Sequence, residues 1–167
     1  MTNCKVLLTG CFSVGKTSLF KQFLYQKFDD EYHTTIGVKV DKKVVSVEGG
    51  EVSIMLWDLA GEVSQDKVPK PYFLGAKYIL YVIDISRPFT WENLESDMLL
   101  LKKLAPGAVI KIVANKKDLL DDSELAEATA QVPAKIDAIT SAQTGENIEN
   151  LFKTIADEIL SPQNILS

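Results

Sequence analysis

Residues Gly10-Cys11-Phe12-Ser13-Val14-Gly15-Lys16-Thr17 carry the sharpest chemical signal in the sequence. They satisfy G-x-x-x-x-G-K-[ST] between a short apolar run and a helical stripe, the setting a phosphate-cradling loop requires. There the backbone N–H groups of Ser13, Val14, Gly15 and the helix start through Ser18 can point at an anion, and the helix N-terminus adds partial positive charge. Lys16 is the residue to reach β- and γ-phosphate oxygens, and the Thr17 hydroxyl suits Mg²⁺. A magnesium–nucleotide site also needs a carboxylate ending a neighbouring strand. Asp58, in Trp57-Asp58-Leu59-Ala60-Gly61, supplies one, acting through water. Gly61 lets a backbone N–H come close to the γ-phosphate, where a side chain would interfere. A strand-ending aspartate or a turn glycine alone is commonplace; beside the phosphate loop they indicate a bound nucleotide.

A second polar cluster, Asn115-Lys116-Lys117-Asp118, closes an apolar segment that begins near Val109. Strand C-terminal ends are where open α/β sheets bind ligands. A carboxylate there accepts two hydrogen bonds from the N1–H and N2–H₂ of guanine, a donor pair adenine lacks, so Asp118 is the candidate base selector. Read alone, the four residues fit a solvated loop equally well. Thr140-Ser141-Ala142-Gln143-Thr144-Gly145 follows the last strand and offers the Ala142 N–H to the guanine O6.

These loops need a frame, and strand-like and helix-like segments alternate along the whole chain, as in a largely parallel sheet with helices on both faces. Val6-Leu7-Leu8 leads into Gly10, and Leu19, Phe23 and Leu24 recur at helical spacing. Val38 to Val47 and Val52 to Trp57 are separated by Glu48-Gly49-Gly50-Glu51, a hairpin signal that makes the first of them an antiparallel edge strand. Tyr78 to Ile85 and Val109 to Ala114 are nearly all apolar, as strands buried on both faces are. Trp91, Leu94, Met98, Leu101 and Leu104 mark a helix, Lys135 to Thr140 a last short strand, and Ile148, Leu151, Phe152, Ile155 and Ile159 a closing helix.

The bulk properties fit one folded domain over residues 1–167, with 46% hydrophobic and 25% charged residues. A net charge of -5 argues against nucleic acid or an anionic membrane surface as partner. Cys4 and Cys11 do not make a disulfide framework, which favours a reducing, cytoplasmic compartment. No apolar run approaches the ~20 residues of a spanning helix. The last residues, Asn164-Ile165-Leu166-Ser167, hold no cysteine for prenylation, so if they are the native terminus no direct lipid anchor is expected. A monomer is the expectation.

With these motifs in order, the chain resembles a small GTPase of the Ras superfamily, most like its Rab-like and Ras-like branches. The resemblance spans essentially the whole chain. It implies a P-loop NTPase fold: a six-stranded, mostly parallel sheet with strand 2 antiparallel at the edge and five flanking helices. It also implies GTP/GDP and Mg²⁺ as ligands, hydrolysis of GTP to GDP and phosphate, and effector, exchange-factor and GTPase-activating partners. Tyr32-His33-Thr34-Thr35-Ile36-Gly37 matches the first switch, where Thr35 binds Mg²⁺ and γ-phosphate, and Phe28 matches the aromatic against the guanine ring. Lys116 matches the motif lysine lying along the nucleotide; Lys117, at the variable position, is expected to be solvated.

Four departures stand out. Glu62 occupies the position of the water-orienting glutamine; its carboxylate keeps an acceptor but loses the amide donor and adds negative charge, so the sign of its effect on hydrolysis stays open. Phe12 replaces a small residue, where its bulk blocks an incoming arginine finger. Pro69 and Pro71 fall in the segment 62–75 of the second switch helix, which should be short, late or broken. Gln143 stands where relatives have lysine, weakening one nucleotide contact. Slow turnover follows as one expectation, and a GTP/GDP-binding module with little hydrolysis as its rival. A nucleotide kinase would need an arginine-rich lid, and Arg87 is the only arginine.

Overall fold

The computed structural model describes residues 1–29, 37–60 and 68–161. Six strands form one sheet, β1 (Thr2–Gly10), β2 (Val38–Val47), β3 (Gly50–Leu59), β4 (Ala76–Asp84), β5 (Val109–Asn115) and β6 (Ala138–Ile139), in the order β2-β3-β1-β4-β5-β6. Only the β2–β3 pair is antiparallel, with Val40 opposite Trp57 and Val47 opposite Gly50. The hairpin turns on Glu48 and Gly49, and Gly50 takes the positive φ (134°) that begins the return strand. The expected edge strand is therefore present.

Period-2 alternation sorts each central strand between two cores. Val6, Leu8, Leu80 and Val82 face one side, where α1 (Lys16–Tyr25) and α4 (Ile148–Leu160) bring Leu19, Phe20, Phe23, Phe152 and Ile155. Phe23 and Phe152 stack with ring centroids 3.7 Å apart. Leu7, Ile79, Tyr81 and Ile83 face the other, under α2 (Leu94–Leu104), with Leu101 fully buried and α3 (Asp122–Gln131) contributing Leu125 and Ala128 at its margin. Apolar strands sandwiched between two helical layers are the reason β4 reads as a continuous hydrophobic run.

Two elements differ from the sequence reading. β6 is only Ala138 and Ile139 rather than 135–140: single backbone bonds from the Asp137 N–H to Ile112 O (2.9 Å) and the Thr140 N–H to Ala114 O (2.8 Å) flank it, and the Asp137 carboxylate takes the Ile112 N–H at 2.8 Å in place of a ladder carbonyl. The family resemblance implies five helices, and the described residues hold four α-helices. The second-switch helix is expected in 62–75, of which 62–67 lies outside the described residues. What is described there is a single 3-10 turn, Lys70–Phe73, starting after Pro69 and containing Pro71.

Candidate functional site

Strand order reverses at β1, whose neighbours β3 and β4 lead away in opposite directions, so a crevice opens beyond the C-terminal ends of the strands. The loop after β1 lies there and is shaped by two glycines. Gly10 has φ 141°, and a Cβ on it would sit 2.2 Å from the Val82 carbonyl oxygen. Gly15, at φ 98°, precedes α1, and its Cβ would lie 2.3 Å from Asn115 Nδ2. Neither place tolerates a side chain without displacing the loop.

Four carbonyls of the loop are engaged by side-chain donors. Lys16 Nζ donates to Gly10 O (3.0 Å) and Cys11 O (2.8 Å), Asn115 Nδ2 to Val14 O (3.1 Å), and Lys116 Nζ to Ser13 O (2.8 Å). Ser13 adopts a left-handed φ of 61°, uncommon for a residue with a Cβ. A curved backbone whose carbonyls are already hydrogen-bonded leaves its N–H dipoles for an anion.

Asp58 ends β3 fully buried, and its Oδ2 accepts the Thr17 hydroxyl at 2.6 Å. Its Oδ1 is buried with no hydrogen-bond partner. Burial lifts this carboxyl above its ordinary value, opposed by the Thr17 hydrogen bond and the Lys16 charge. An orphaned buried carboxylate oxygen beside a hydroxyl fits a hard cation. Among the described residues no group of three or more His, Cys, Asp or Glu side chains could hold a metal alone. The Thr17 hydroxyl and the unpartnered Asp58 Oδ1 suit Mg²⁺, which keeps waters and takes phosphate oxygens as further ligands.

Asn115, 1% exposed, joins the loops. Besides holding Val14 O, its Oδ1 accepts Thr140 Oγ1 at 3.0 Å and the Ala142 N–H at 3.1 Å. The amide expected to face guanine O6 is thus engaged with Asn115 here. Asp118 Oδ1 accepts the Ser141 hydroxyl at 2.7 Å, which orients the carboxylate, and Gln22 Nε2 on α1 fixes the Ala142 carbonyl at 2.9 Å. Lys117 is not merely solvated: it pairs with Glu146, bridging the two base loops. Gln143 is exposed, Ser18 lies in the first turn of α1, and Phe28 is 39% exposed beyond that helix. Thr35, Gly61 and Glu62, with the rest of both switch motifs from 30–36 and 61–67, lie outside the described residues.

Sequence reasoning missed Asp84 and Arg87. Asp84 ends β4, and its Oδ2 binds Arg87 Nε at 2.6 Å and Lys116 Nζ at 3.1 Å, while Arg87 Nη2 donates to Ser13 O at 2.5 Å. The available signal was a carboxylate ending an apolar strand three residues before the sole arginine.

Residues 5–161 match the sequence model of the Ras family. Similar proteins include Ras-related protein Rab-4A of Rattus norvegicus, 36% identical over 162 residues that cover 94% of this chain and 74% of that protein. Ras-related protein Rab-4B of Homo sapiens is also 36% identical over 162 residues, covering 94% and 76%. Ras-related protein RABE1d of Arabidopsis thaliana is 32% identical over 161 residues, covering 93% and 74%. No helix among the described residues is long and apolar enough to cross a membrane. Joined to the phosphate loop and the sheet order, these likenesses mean that the chain belongs to the Ras family of small GTPases, GTP-binding switch proteins, and is Rab-like among them.

Proposed function

We propose that this protein binds GTP and GDP with Mg²⁺ at the crevice described above, hydrolyses GTP slowly and signals through effector proteins that read its switch loops. The observation that carries this reading is Asn115, whose one side chain ties the phosphate loop to both base-binding loops. Phosphate and base recognition thereby share one pocket.

In this reading Ser13, Val14, Gly15, Lys16, Thr17 and Ser18 bind phosphates through backbone N–H groups and the Lys16 ammonium. Asp118, oriented by Ser141, accepts the guanine N1–H and N2–H₂; Phe28, Lys116, Ala142 and Gln143 line the base and sugar. Thr17, Thr35 and Asp58 are the residues that would hold Mg²⁺, which neutralises phosphate charge when bound. Lys16 stabilises the charge that develops on the phosphate oxygens as water attacks in line, and Gly61 supplies a backbone N–H. Glu62 stands near that water and can accept its proton. GTP orders the loops around Thr35 and Gly61, and its hydrolysis releases them.

Slow turnover rests on Phe12, whose ring is 57% exposed on the phosphate loop where an activator's arginine must pass. Such an arginine accelerates hydrolysis by about 10³ to 10⁵ in Ras-type GTPases. The experiment has two steps. Nucleotide released on denaturing the purified protein should be GDP or GTP, identified by mass spectrometry. Single-turnover hydrolysis should then be slow and indifferent to a Ras-type activator, with Phe12→Gly gaining sensitivity. Adenine nucleotides in the first step overturn the guanine reading; fast, equal rates in wild type and variant overturn the slow-turnover reading.

A further inference from the structure

Two cations, Arg87 just after β4 and Lys116 just after β5, converge on one peptide of the phosphate loop, and Asp84 at the end of β4 pairs with both. Asp84 is 1% exposed, and its Oδ1 is occupied by the Ser86 N–H (2.9 Å) and hydroxyl (2.6 Å). Its Oδ2 grips Arg87 Nε at 2.6 Å, which fixes the guanidinium plane. From that position Arg87 Nη2 crosses to Ser13 O at 2.5 Å, and Lys116 Nζ meets the same oxygen at 2.8 Å. A single carbonyl thus accepts from two cations.

The geometry of a peptide carries this contact to the other side. No peptide bond among the described residues is cis, and in a planar trans unit the C=O and N–H point in opposite directions. Holding Ser13 O against Arg87 and Lys116 therefore aims the Val14 N–H away from them. Withdrawing electron density at the oxygen also strengthens the N–H as a donor, as in cooperative hydrogen-bond chains. The left-handed Ser13 (φ 61°) is the kind of conformation that persists only where its surroundings enforce it. Lys116 acts on this carbonyl from the base motif; Arg87 acts from β4, independent of the base.

We propose that Arg87 is a positioning residue for phosphate recognition: held by Asp84, it orients and polarises the Ser13–Val14 peptide so that its N–H binds a terminal phosphate of the nucleotide. The proposal rests on the guanine-nucleotide reading above. It separates two halves of the affinity, because loss of Arg87 leaves Asn115, Lys116 and Asp118 in place.

The test uses the full chain with Mg²⁺ and GDP labelled on its ribose. Arg87→Ala should release GDP roughly tenfold faster, the scale of one lost charge-assisted hydrogen bond. Competition by GMP, which keeps base and sugar but lacks the terminal phosphates, should stay within about twofold of wild type. Arg87→Lys should recover part of the GDP effect, since it keeps the charge but not the planar fork. An unchanged GDP release rate in Arg87→Ala overturns the proposal, and so does an equal fall in GDP and GMP affinity, which marks a general structural role. Should the alanine variant fail to fold, by circular dichroism, Arg87→Gln decides on the same GDP-to-GMP ratio. Wild-type protein that binds no GDP brings down the guanine reading itself, a result distinct from either variant outcome.

Discussion

The Asp84 carboxylate is where burial and pairing compete most directly. Burial pushes its pKa up, yet the Ser86 and Arg87 hydrogen bonds and the Lys116 charge outweigh it, leaving the carboxyl below the usual aspartate value. The folded state therefore stays ionised at acidities where the unfolded chain, near its ordinary ~3.9, has taken up a proton. Its contribution to stability is fully present above that value and is lost as pH falls through the lower folded one. Asp84→Asn should flatten the acid limb of stability in urea titrations below about pH 4. At pH 7 it should cost roughly 2 kcal/mol, less than the 3 to 5 of a fully buried pair, because Arg87 and Lys116 are 33% and 31% exposed. An acid limb as steep as wild type would show that this carboxylate is not the group titrating. The Arg87 side of the cluster was illegible in the sequence for a plain reason: Asp84 and Arg87 are three residues apart, but the Ser13 carbonyl they serve lies 74 residues away from Arg87. The placement of Gly10 to Thr17 between β1 and α1, and of Asp58 near the end of β3, was readable because both motifs are tied to fixed local spacing and strand ends.

Elements place these groups, and glycine tests how tightly. A methyl at Gly10 meets the Val82 backbone oxygen at 2.2 Å, and β1 and β4 are paired at that register, so neither strand can yield without breaking the ladder. Gly75 also has a positive φ, 77°, but nothing lies within 4 Å of its added Cβ. Gly75→Ala should cost only the left-handed strain of about 1 to 2 kcal/mol. Gly10→Ala should cost about 4 kcal/mol or more, or prevent folding. Chemical denaturation of the two variants checks the order, and equal losses would mean that the β1–β4 contact is softer than its geometry. The strands themselves were legible, since β4 and β5 are apolar on almost every position and only a sheet covered on both faces explains that. The extent of β6 was not, because whether a residue pairs through its backbone or through Asp137 leaves no periodic trace. Pro69 and Pro71 in the sequence could not show that Lys70–Phe73 would form a 3-10 turn, because a proline removes a donor without saying which tighter turn the chain takes.

At the scale of the molecule, we propose that the chain unfolds as one cooperative domain. Val6 and Leu8 belong to one core and Leu7 to the other, so each strand of the central sheet is shared between the two helical layers. Melting either layer exposes strands the other needs. The ligand crevice reinforces this coupling, because its groups come from the ends of β1, β3, β4, β5 and β6 and are cross-linked through Asn115, Asp84 and the Thr17–Asp58 pair. A nucleotide that touches all of them binds only when the whole sheet is intact. Under that linkage, ligand at 100 times its dissociation constant stabilises the folded state by about 2.7 kcal/mol. For a domain of this size each kcal/mol raises the melting temperature by roughly 2 to 4 °C, so Mg²⁺ with GDP should raise it by roughly 5 to 11 °C. Far-ultraviolet circular dichroism and tryptophan fluorescence should give one coincident transition, since Trp57 sits on β3 and Trp91 is buried in the core on the α2 side. If the two signals separate, or if only one moves with nucleotide, the layers unfold independently and the crevice does not span them.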